Sequence, residues 1–263
     1  MKNSCIGVFD SGLGGLTTVK EIRRLLPEEN IVFLADTANM PYGSKDRQQI
    51  LSFTQNNIAI IRKYDPKAIV IACNTSDSNA GEMARSCFSP VFGVIAPAVQ
   101  TALKATLNNK IGVLATQATI RAGAYEKQIH EINQDIEVIS VACPALVPMI
   151  EHGDFIYDQE RLQQTTLSYL EEIIAAKADT LILGCTHYDV LSEMIAQLYP
   201  ELKIVSSSRC VVESLKAYLN EHDLQEKDRK GELLCLASSD PESINQTAVY
   251  LIDKTSFQKV GKI

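Results

Sequence analysis

Short apolar segments rich in Val and Ile alternate with longer amphipathic segments along most of the chain. Segments of this length and composition are typical of strands buried on both faces of a parallel sheet. Parallel strands need long crossover connections, which helices usually supply, so the alternation predicts an α/β fold. The predicted strands are residues 5–9, 31–35, 68–72, 91–95, 110–115, 136–142, 180–184 and 202–206, and the clearest predicted helices are 16–26, 46–64 and 161–177.

Composition and charge limit the classes of protein to which the chain can belong. The chain has 263 residues, 46% of them hydrophobic, which suffices for one large core or two smaller ones. A net charge of −7 without a basic face predicts that nucleic acid is not a partner. No apolar run approaches the roughly 20 residues that span a bilayer, and we expect no membrane insertion. The opening residues lack a signal segment, and the seven scattered cysteines are typical of reduced thiols, so we expect a cytoplasmic protein.

A weak internal repeat relates the two parts of the chain. IGVFDSG, IVFLADT and AIVIACNT in the first part correspond to IGVLATQ, IEVISVACP and TLILGCTH in the later part. Buried α/β strands often look alike, so the stronger signal is that the third segment of each set ends in a cysteine, Cys73 or Cys185. Ligands of open α/β sheets bind beyond the carboxyl ends of the strands. Two such units facing each other would place one cysteine on each side of a shared cleft.

The two matched cysteines suggest proton transfer. A thiol just after a buried strand and close to a helix N-terminus lies in positive potential, and we expect a lowered pKa for Cys73 and Cys185. A single buried cysteine is usually a packing residue, but that interpretation explains two matched ones poorly. Two opposed thiols suit removal of a proton from one face of a carbon and delivery of a proton to the other. The remaining cysteines, for which packing roles are predicted with Cys143 the least certain, are Cys5, Cys87, Cys143, Cys210 and Cys235.

Two other cysteine chemistries fit less well. Metal binding lacks a Cys-x-x-Cys pair, and Cys185 with His187 is too small a set for structural zinc. A single nucleophilic cysteine with a histidine base would leave the second cysteine unexplained. We therefore expect neither a metal nor a cofactor.

Polar loops follow the first two predicted strands. In FDSGLGG (9–15) the glycines Gly12, Gly14 and Gly15 allow close backbone approach and positive φ, but the spacing is that of neither a dinucleotide fingerprint nor a P-loop. Asp10 and Ser11 could hold an ammonium group and a carboxylate, or merely cap a turn.

Further ionisable residues lie after the second strand and in the later part of the chain. Asp36 follows the second predicted strand and precedes a Pro-Tyr-Gly turn (41–43). Glu151 and His187 lie in apolar surroundings, and the position of His187 two residues after Cys185 favours a functional role.

These motifs together resemble the glutamate racemases, of the cofactor-independent aspartate/glutamate racemase superfamily. The resemblance covers nearly the whole chain and is weakest after about residue 220. It implies interconversion of L- and D-glutamate by two cysteines, which supplies D-glutamate for peptidoglycan in a bacterium. The matching segments are residues 6–17, 36–45, 69–75, 115–125, 142–153 and 183–188.

The resemblance also implies an architecture and an assembly. We expect two pseudo-symmetric α/β domains with mainly parallel central sheets and the active site in the cleft between them. The first domain would comprise residues 1–96 and 207–263, and the second residues 97–206. A homodimer is expected.

Residue roles follow from the same resemblance. The thiolate of Cys73 would remove the α-proton of the D-amino acid, and that of Cys185 the α-proton of the L-amino acid. The auxiliary acid/base positions are Asp10, Asp36, Glu151 and His187. The substrate-contacting positions are Asp10, Ser11, Pro41, Tyr42, Gly43, Asn74, Thr75, Thr119 and Thr186. Because the α-proton is feebly acidic, hydrogen-bond donors in a site closed to water must stabilise the developing charge.

Several positions depart from the family pattern. Asp189 stands where a proline is usual, and Ala96 and Ala98 replace an acidic residue and a glycine. The segment 204–208, with Ser206, lacks an aspartate often found there, and residues 76–80 are also atypical. These departures leave open an aspartate racemase or a related two-thiol epimerase, and a binding protein that has lost catalysis.

Overall fold

The structure, a computed structural model, describes residues 4–227, 230–239, 241, 248, 250–252 and 257–260. Its strands are β1 (Cys5–Asp10), β2 (Ile31–Ala35), β3 (Pro66–Ile71), β4 (Val91–Gly93), β5 (Lys110–Ala115), β6 (Glu137–Ala142), β7 (Thr180–Gly184), β8 (Lys203–Ser206), β9 (Leu233–Ala237) and β10 (Phe257–Lys259). Its α-helices include α1 (Leu16–Leu25), α2 (Arg47–Ile61), α3 (Asn74–Cys87), α4 (Ile95–Ala105), α5 (Gln117–Ala122), α6 (Ala124–Ile132), α7 (Leu146–His152), α8 (Asp154–Tyr157), α9 (Gln159–Ala175), α10 (Ser192–Leu198) and α11 (Ser207–Glu221).

The strands form two sheets. One has six strands in the order β10-β9-β2-β1-β3-β4, and the other has four in the order β6-β5-β7-β8. Every pairing between the described strands is parallel. The predicted fold class, α/β with two mainly parallel sheets, is therefore confirmed.

The strand orders reveal the internal repeat. The order β2-β1-β3-β4 recurs as β6-β5-β7-β8, so each strand of the second sheet has a counterpart in the first. The strands that precede the two cysteines, β3 and β7, are counterparts in this scheme. Strands β9 and β10 extend the first sheet beyond β2, as the resemblance implies for the C-terminal segment. The proposed division at residues 96 and 207 stays a prediction, and parts of its first domain lie outside the described residues.

Burial explains why the strands could be located from sequence. Strands β1, β2 and β7 are buried along their whole length, whereas the edge strand β6 is mostly half-buried. One continuous apolar core includes Ile6 and Val8 of the first sheet, Ile111 and Val113 of the second, and Val211 of α11. The two sheets are thus joined by a shared core. No helix in the described part of the chain is long and apolar enough to cross a bilayer.

Candidate active site

The two matched cysteines lie on one cavity. Cys73 follows β3 and directly precedes α3, and Cys185 follows β7 and directly precedes a 3-10 helix, Thr186–Leu191. Each cysteine is only 5% exposed, and both line a cavity of about 80 Å³. The structure therefore brings the two thiols together from equivalent strands of the two sheets.

Most of the predicted site residues line this cavity, and some do not. Its lining includes, of the predicted residues, Asp10, Ser11, Pro41, Tyr42, Gly43, Cys73, Asn74, Thr75, Cys185, Thr186 and His187. Asp36, Thr119 and Glu151 are not part of the lining and lie behind residues that are. The lining residues outside the predicted set of site residues are Ser44, Thr116, Gln117, Cys143, Pro144, Val147 and Pro148. Several of these residues directly follow β5 or β6. Their position at the carboxyl end of a predicted strand is the sequence feature that could have identified them.

Asp36 supports the cavity wall from behind. Its carboxylate accepts hydrogen bonds from the hydroxyl of Tyr42, from Asn39 Nδ2 and, at 2.7 Å, from Ser238 Oγ. Asn57 Nδ2 in turn donates to the Tyr42 hydroxyl over 3.1 Å. Because Tyr42 lies between Asp36 and the cavity, Asp36 orients Tyr42 in this structure.

Three threonine hydroxyls connect the two sheet units beside the cavity. Thr75 at the start of α3 lies 2.8 Å from Thr116 and 3.3 Å from Thr119, measured between Oγ1 atoms. Thr116 and Thr119 are 2.9 Å apart, and the Thr116 side chain also accepts a hydrogen bond from the Thr119 amide as the N-cap of α5. Thr119 therefore holds the hydroxyls of two residues that line the cavity.

Two hydrogen-bonded ionisable residues, His187 and Glu151, lie behind Cys185. His187 Nδ1 lies 3.6 Å from Cys185 Sγ, and His187 Nε2 lies 2.6 Å from Glu151 Oε1. The Leu13 amide donates to the same Glu151 oxygen over 3.0 Å. Burial disfavours the imidazolium, but hydrogen bonds and negative charge from Cys185 and Glu151 raise the pKa of His187 well above its usual value. A protonated His187 stabilises negative charge on the Cys185 sulfur.

The surroundings of Cys73 disfavour negative charge on its sulfur. Burial, and then the negative charge of Asp10, raise the pKa of Cys73 to about 11, although its hydrogen bonds with Ser76 and Ser11 oppose the rise. The expectation of a lowered pKa is therefore wrong for Cys73. Its position before α3 is as predicted, but loss of solvation outweighs the favourable field of the helix N-terminus. Cys73 is a thiol at neutral pH in this arrangement.

Asp10 joins the two sheet units at the cavity. Thr186 Oγ1 donates to Asp10 Oδ2 over 2.8 Å, and Ser11 Oγ and the Gly12 amide donate to Oδ1 over 3.1 and 3.2 Å. Burial raises the pKa of Asp10, although the positive charge of His187 and these hydrogen bonds act against the rise. The carboxyl is fixed in orientation between the two cysteine-bearing segments.

The glycine-rich loop packs closely against these residues. A Cβ added to Gly14 would lie 2.4 Å from Thr186 Oγ1 and 2.5 Å from His187 Nδ1, and one added to Gly12 would lie 2.5 Å from Glu151 Oε1. The predicted close approach is confirmed. The three glycines do not use the positive φ that glycine allows: Gly12 has φ −155° and Gly15 −60°, and Gly14 is not among the described glycines with positive φ.

The residues that depart from the family pattern do not line the cavity. Asp189 packs behind the site, and burial raises its pKa to about 6, although its carboxyl faces the hydroxyls of Thr17, Ser206 and Ser208. Ala96 and Ala98 belong to α4, where Ala98 is fully buried. Within the described residues, no group of three or more His, Cys, Asp and Glu side chains could hold a metal ion.

Sequence comparisons identify relatives over most of the chain. A model of the family described as Asp/Glu/Hydantoin racemase matches residues 6–215. The glutamate racemase of Persephonella marina is 42% identical over 212 residues, which are 80% of this chain and 81% of that protein. The glutamate racemase of Lactococcus lactis is 38% identical over 232 residues, covering 88% and 84% of the two chains.

Solved structures agree with the sequence relatives. A glutamate racemase isoform from Bacillus anthracis superposes with a TM-score of 0.94 at 33% identity, covering 99% of this chain and 98% of that one. The Francisella tularensis enzyme in complex with D-glutamate has a TM-score of 0.89 at 34% identity, with 100% and 98% coverage. The chain therefore belongs to the Asp/Glu/Hydantoin racemase family, and within it to the glutamate racemases, which are isomerases.

Proposed function

We propose that this chain interconverts L- and D-glutamate by proton transfer at the α-carbon between Cys73 and Cys185. The observation that carries the proposal is that both thiols line one small buried cavity from equivalent strands of two related sheets. An α-carbon held between them would expose its proton to one sulfur and its opposite face to the other.

The different surroundings of the two sulfurs give them complementary roles. With L-glutamate bound, the Cys185 thiolate beside protonated His187 takes the α-proton, and the S–H proton of Cys73 passes to the opposite face of the carbon. This leaves Cys185 as thiol and Cys73 as thiolate, which is the form that accepts D-glutamate. The raised pKa of Cys73 favours the form that accepts L-glutamate. Glu151 keeps the imidazolium in place through its 2.6 Å contact with His187.

The remaining site residues bind and orient the substrate. Asp10 is the anion available for the substrate ammonium group, and it neutralises that group beside the reacting carbon. The hydroxyl of Thr75 and the amides that begin α3 supply donors for carboxylates. Ser11 and Thr186 contact the substrate while their hydroxyls hold Asp10 in place. Asp36 and Thr119 act as positioning residues through Tyr42 and Thr116. No step of this reaction requires a cofactor.

Glutamate is favoured as substrate by the named relatives, which are 38% and 42% identical to this chain. We further propose that the reaction supplies D-glutamate for peptidoglycan in a bacterial cytoplasm, by a homodimer. The two-domain division at residues 1–96 with 207–263 and 97–206 belongs to the same proposal.

The proposal is tested by incubating the purified protein in deuterated water with L-glutamate and, separately, with L-aspartate. Circular dichroism follows inversion, and proton NMR follows loss of the α-proton signal. We expect inversion of glutamate with deuterium incorporated at the α-carbon. Reaction of aspartate alone would replace the substrate in the proposal, and exchange of neither in reducing buffer would refute racemization of both.

A further inference from the structure

An open cleft adjoins the cavity. The cleft has a volume of about 980 Å³ and shares Ser44 with the cavity lining. Its walls continue the same two segments, because Lys45 follows Ser44, and Ala118 and Arg121 come shortly after Gln117. The cleft therefore lies next to the cavity on the side of Ser44 and Gln117.

Some charges of this cleft are paired. Arg47 and Glu82, which also line the cleft, have no ion pair among the described residues and are opposite in sign. Arg85 Nη1 lies 3.3 Å from Asp77 Oδ1, and Lys127 Nζ lies 3.9 Å from Glu131 Oε1. The side chain of Asp46 caps the N-terminus of α2 through the Gln49 amide.

Two cations lie where the cleft meets the cavity. Arg121 Nη2 donates to the backbone carbonyl of Lys45 over 3.1 Å, so the two segments that carry these residues meet across the cleft. No ion pair to a carboxylate is found for either side chain among the described residues, and Arg121 is exposed.

The cavity itself offers little attraction at a distance. Its lining contains no Lys or Arg, the imidazolium of His187 is paired with Glu151, and Asp10 adds a carboxyl group. The chain as a whole carries a net charge of −7, which repels an anion in solution. A local positive region along its path would therefore speed the entry of a negatively charged substrate.

We propose that Lys45 and Arg121 form a cationic entrance that draws acidic amino acids, and small carboxylates in general, from solvent into the cavity. The choice of an acidic amino acid rests on the proposed function, whereas the attraction of carboxylates depends only on charge. The entrance acts on the rate of substrate capture and leaves the proton transfers between the cysteines unchanged.

The first test compares the double variant Lys45→Gln/Arg121→Gln with a control of the same net charge, Arg23→Gln/Lys104→Gln. The two control residues are exposed and line neither the cleft nor the cavity. Two cations about 10 Å from a monoanion predict a loss in kcat/KM of about threefold at roughly 0.01 M ionic strength. The loss shrinks to less than about twofold at 0.15 M. The control variant should keep the wild-type salt dependence, and kcat should change little in both.

The second test does not require racemase activity. Alkylation of Cys73 and Cys185 is followed by peptide mass spectrometry with iodoacetate, an anion, and with iodoacetamide, its neutral analogue. In both reactions a thiolate sulfur displaces iodide and forms a carbon–sulfur bond. The entrance variant should react about threefold more slowly with iodoacetate at low salt and at the wild-type rate with iodoacetamide.

The outcomes separate the entrance from the proposed function. If the wild type racemizes neither amino acid but the iodoacetate effect is present, the function is wrong and the entrance stands. A loss of kcat/KM that is independent of salt would mean that Arg121 acts only through its hydrogen bond to Lys45, which overturns the proposal. The proposal would also be overturned if the ratio of the iodoacetate rate to the iodoacetamide rate were the same in the wild type and in the entrance variant.

Discussion

Substitution of Gly14 tests how tightly the glycine-rich loop sets the geometry of the site. The Cβ of alanine at this position would lie 2.4 Å from Thr186 Oγ1 and 2.5 Å from His187 Nδ1. Both distances are roughly 1 Å shorter than ordinary van der Waals contact. Thr186 holds Asp10 and His187 contacts Cys185, so relief of the clash displaces groups that we assign to proton transfer and binding.

The expected effect of Gly14→Ala is large on activity and moderate on stability. A misplacement of about 1 Å lowers kcat by about 100-fold. Overpacking lowers the free energy of unfolding by about 1–3 kcal/mol. Racemization is followed by circular dichroism with saturating glutamate, and stability by urea unfolding.

Gly123→Ala is the matched control. Gly123 has φ +63°, and an added Cβ there would meet nothing within 4 Å. The left-handed backbone makes alanine cost about 1 kcal/mol in stability without any contact near the cavity. We expect nearly wild-type kcat in Gly123→Ala. Comparable kcat in the two alanine variants would refute the argument that close approach at Gly14 sets the active-site geometry.

Two further substitutions test Asp189, which lies behind the cavity, and Tyr42, which lines it. Burial raises the pKa of Asp189 to about 6, so the folded state binds this proton more tightly than the unfolded chain does. The stability that the bound proton contributes is lost as pH rises through about 6. Asp189→Asn should therefore gain stability relative to wild type between about pH 4 and 7, by up to about 3 kcal/mol, and a pH-independent difference in urea unfolding would contradict this. Tyr42→Phe removes the hydroxyl that donates to Asp36 and accepts from Asn57, and the free energy of unfolding should fall by about 1–3 kcal/mol. Unchanged stability of Tyr42→Phe would show that these buried groups find other partners.

The strands were predictable because the sheets are buried. Residues 31–35, 110–115 and 180–184 were predicted with the bounds that β2, β5 and β7 have in the structure. Apolar runs bounded by polar loops mark such strands without an alignment. Strands β9 and β10 were not located from the sequence. Strand β10 has only three residues, of which two are exposed, and such a segment carries little hydrophobic pattern.

The position of each thiol was predictable, but its electrostatics were not. The carboxyl ends of β3 and β7 followed from the repeat, whereas the pKa of Cys73 depends on burial and on Asp10, which lies far away in sequence. In the same way, sequence could not show that Tyr42 separates Asp36 from the cavity. These properties arise from contacts between segments that only the folded chain brings together.

The central claim is that each thiol serves one enantiomer, and hydrogen–deuterium exchange at the α-carbon tests it most directly. Net racemization rates are less informative, because the two enantiomers have equal free energy in water and kcat/KM must be the same in both directions. The experiment measures loss of the α-proton signal from L- and from D-glutamate in deuterated water with Cys73→Ala and with Cys185→Ala. We predict that Cys185→Ala loses exchange of L-glutamate more severely than that of D-glutamate, and that Cys73→Ala shows the reverse. Equal loss of exchange from both enantiomers in both variants would contradict the two-base assignment.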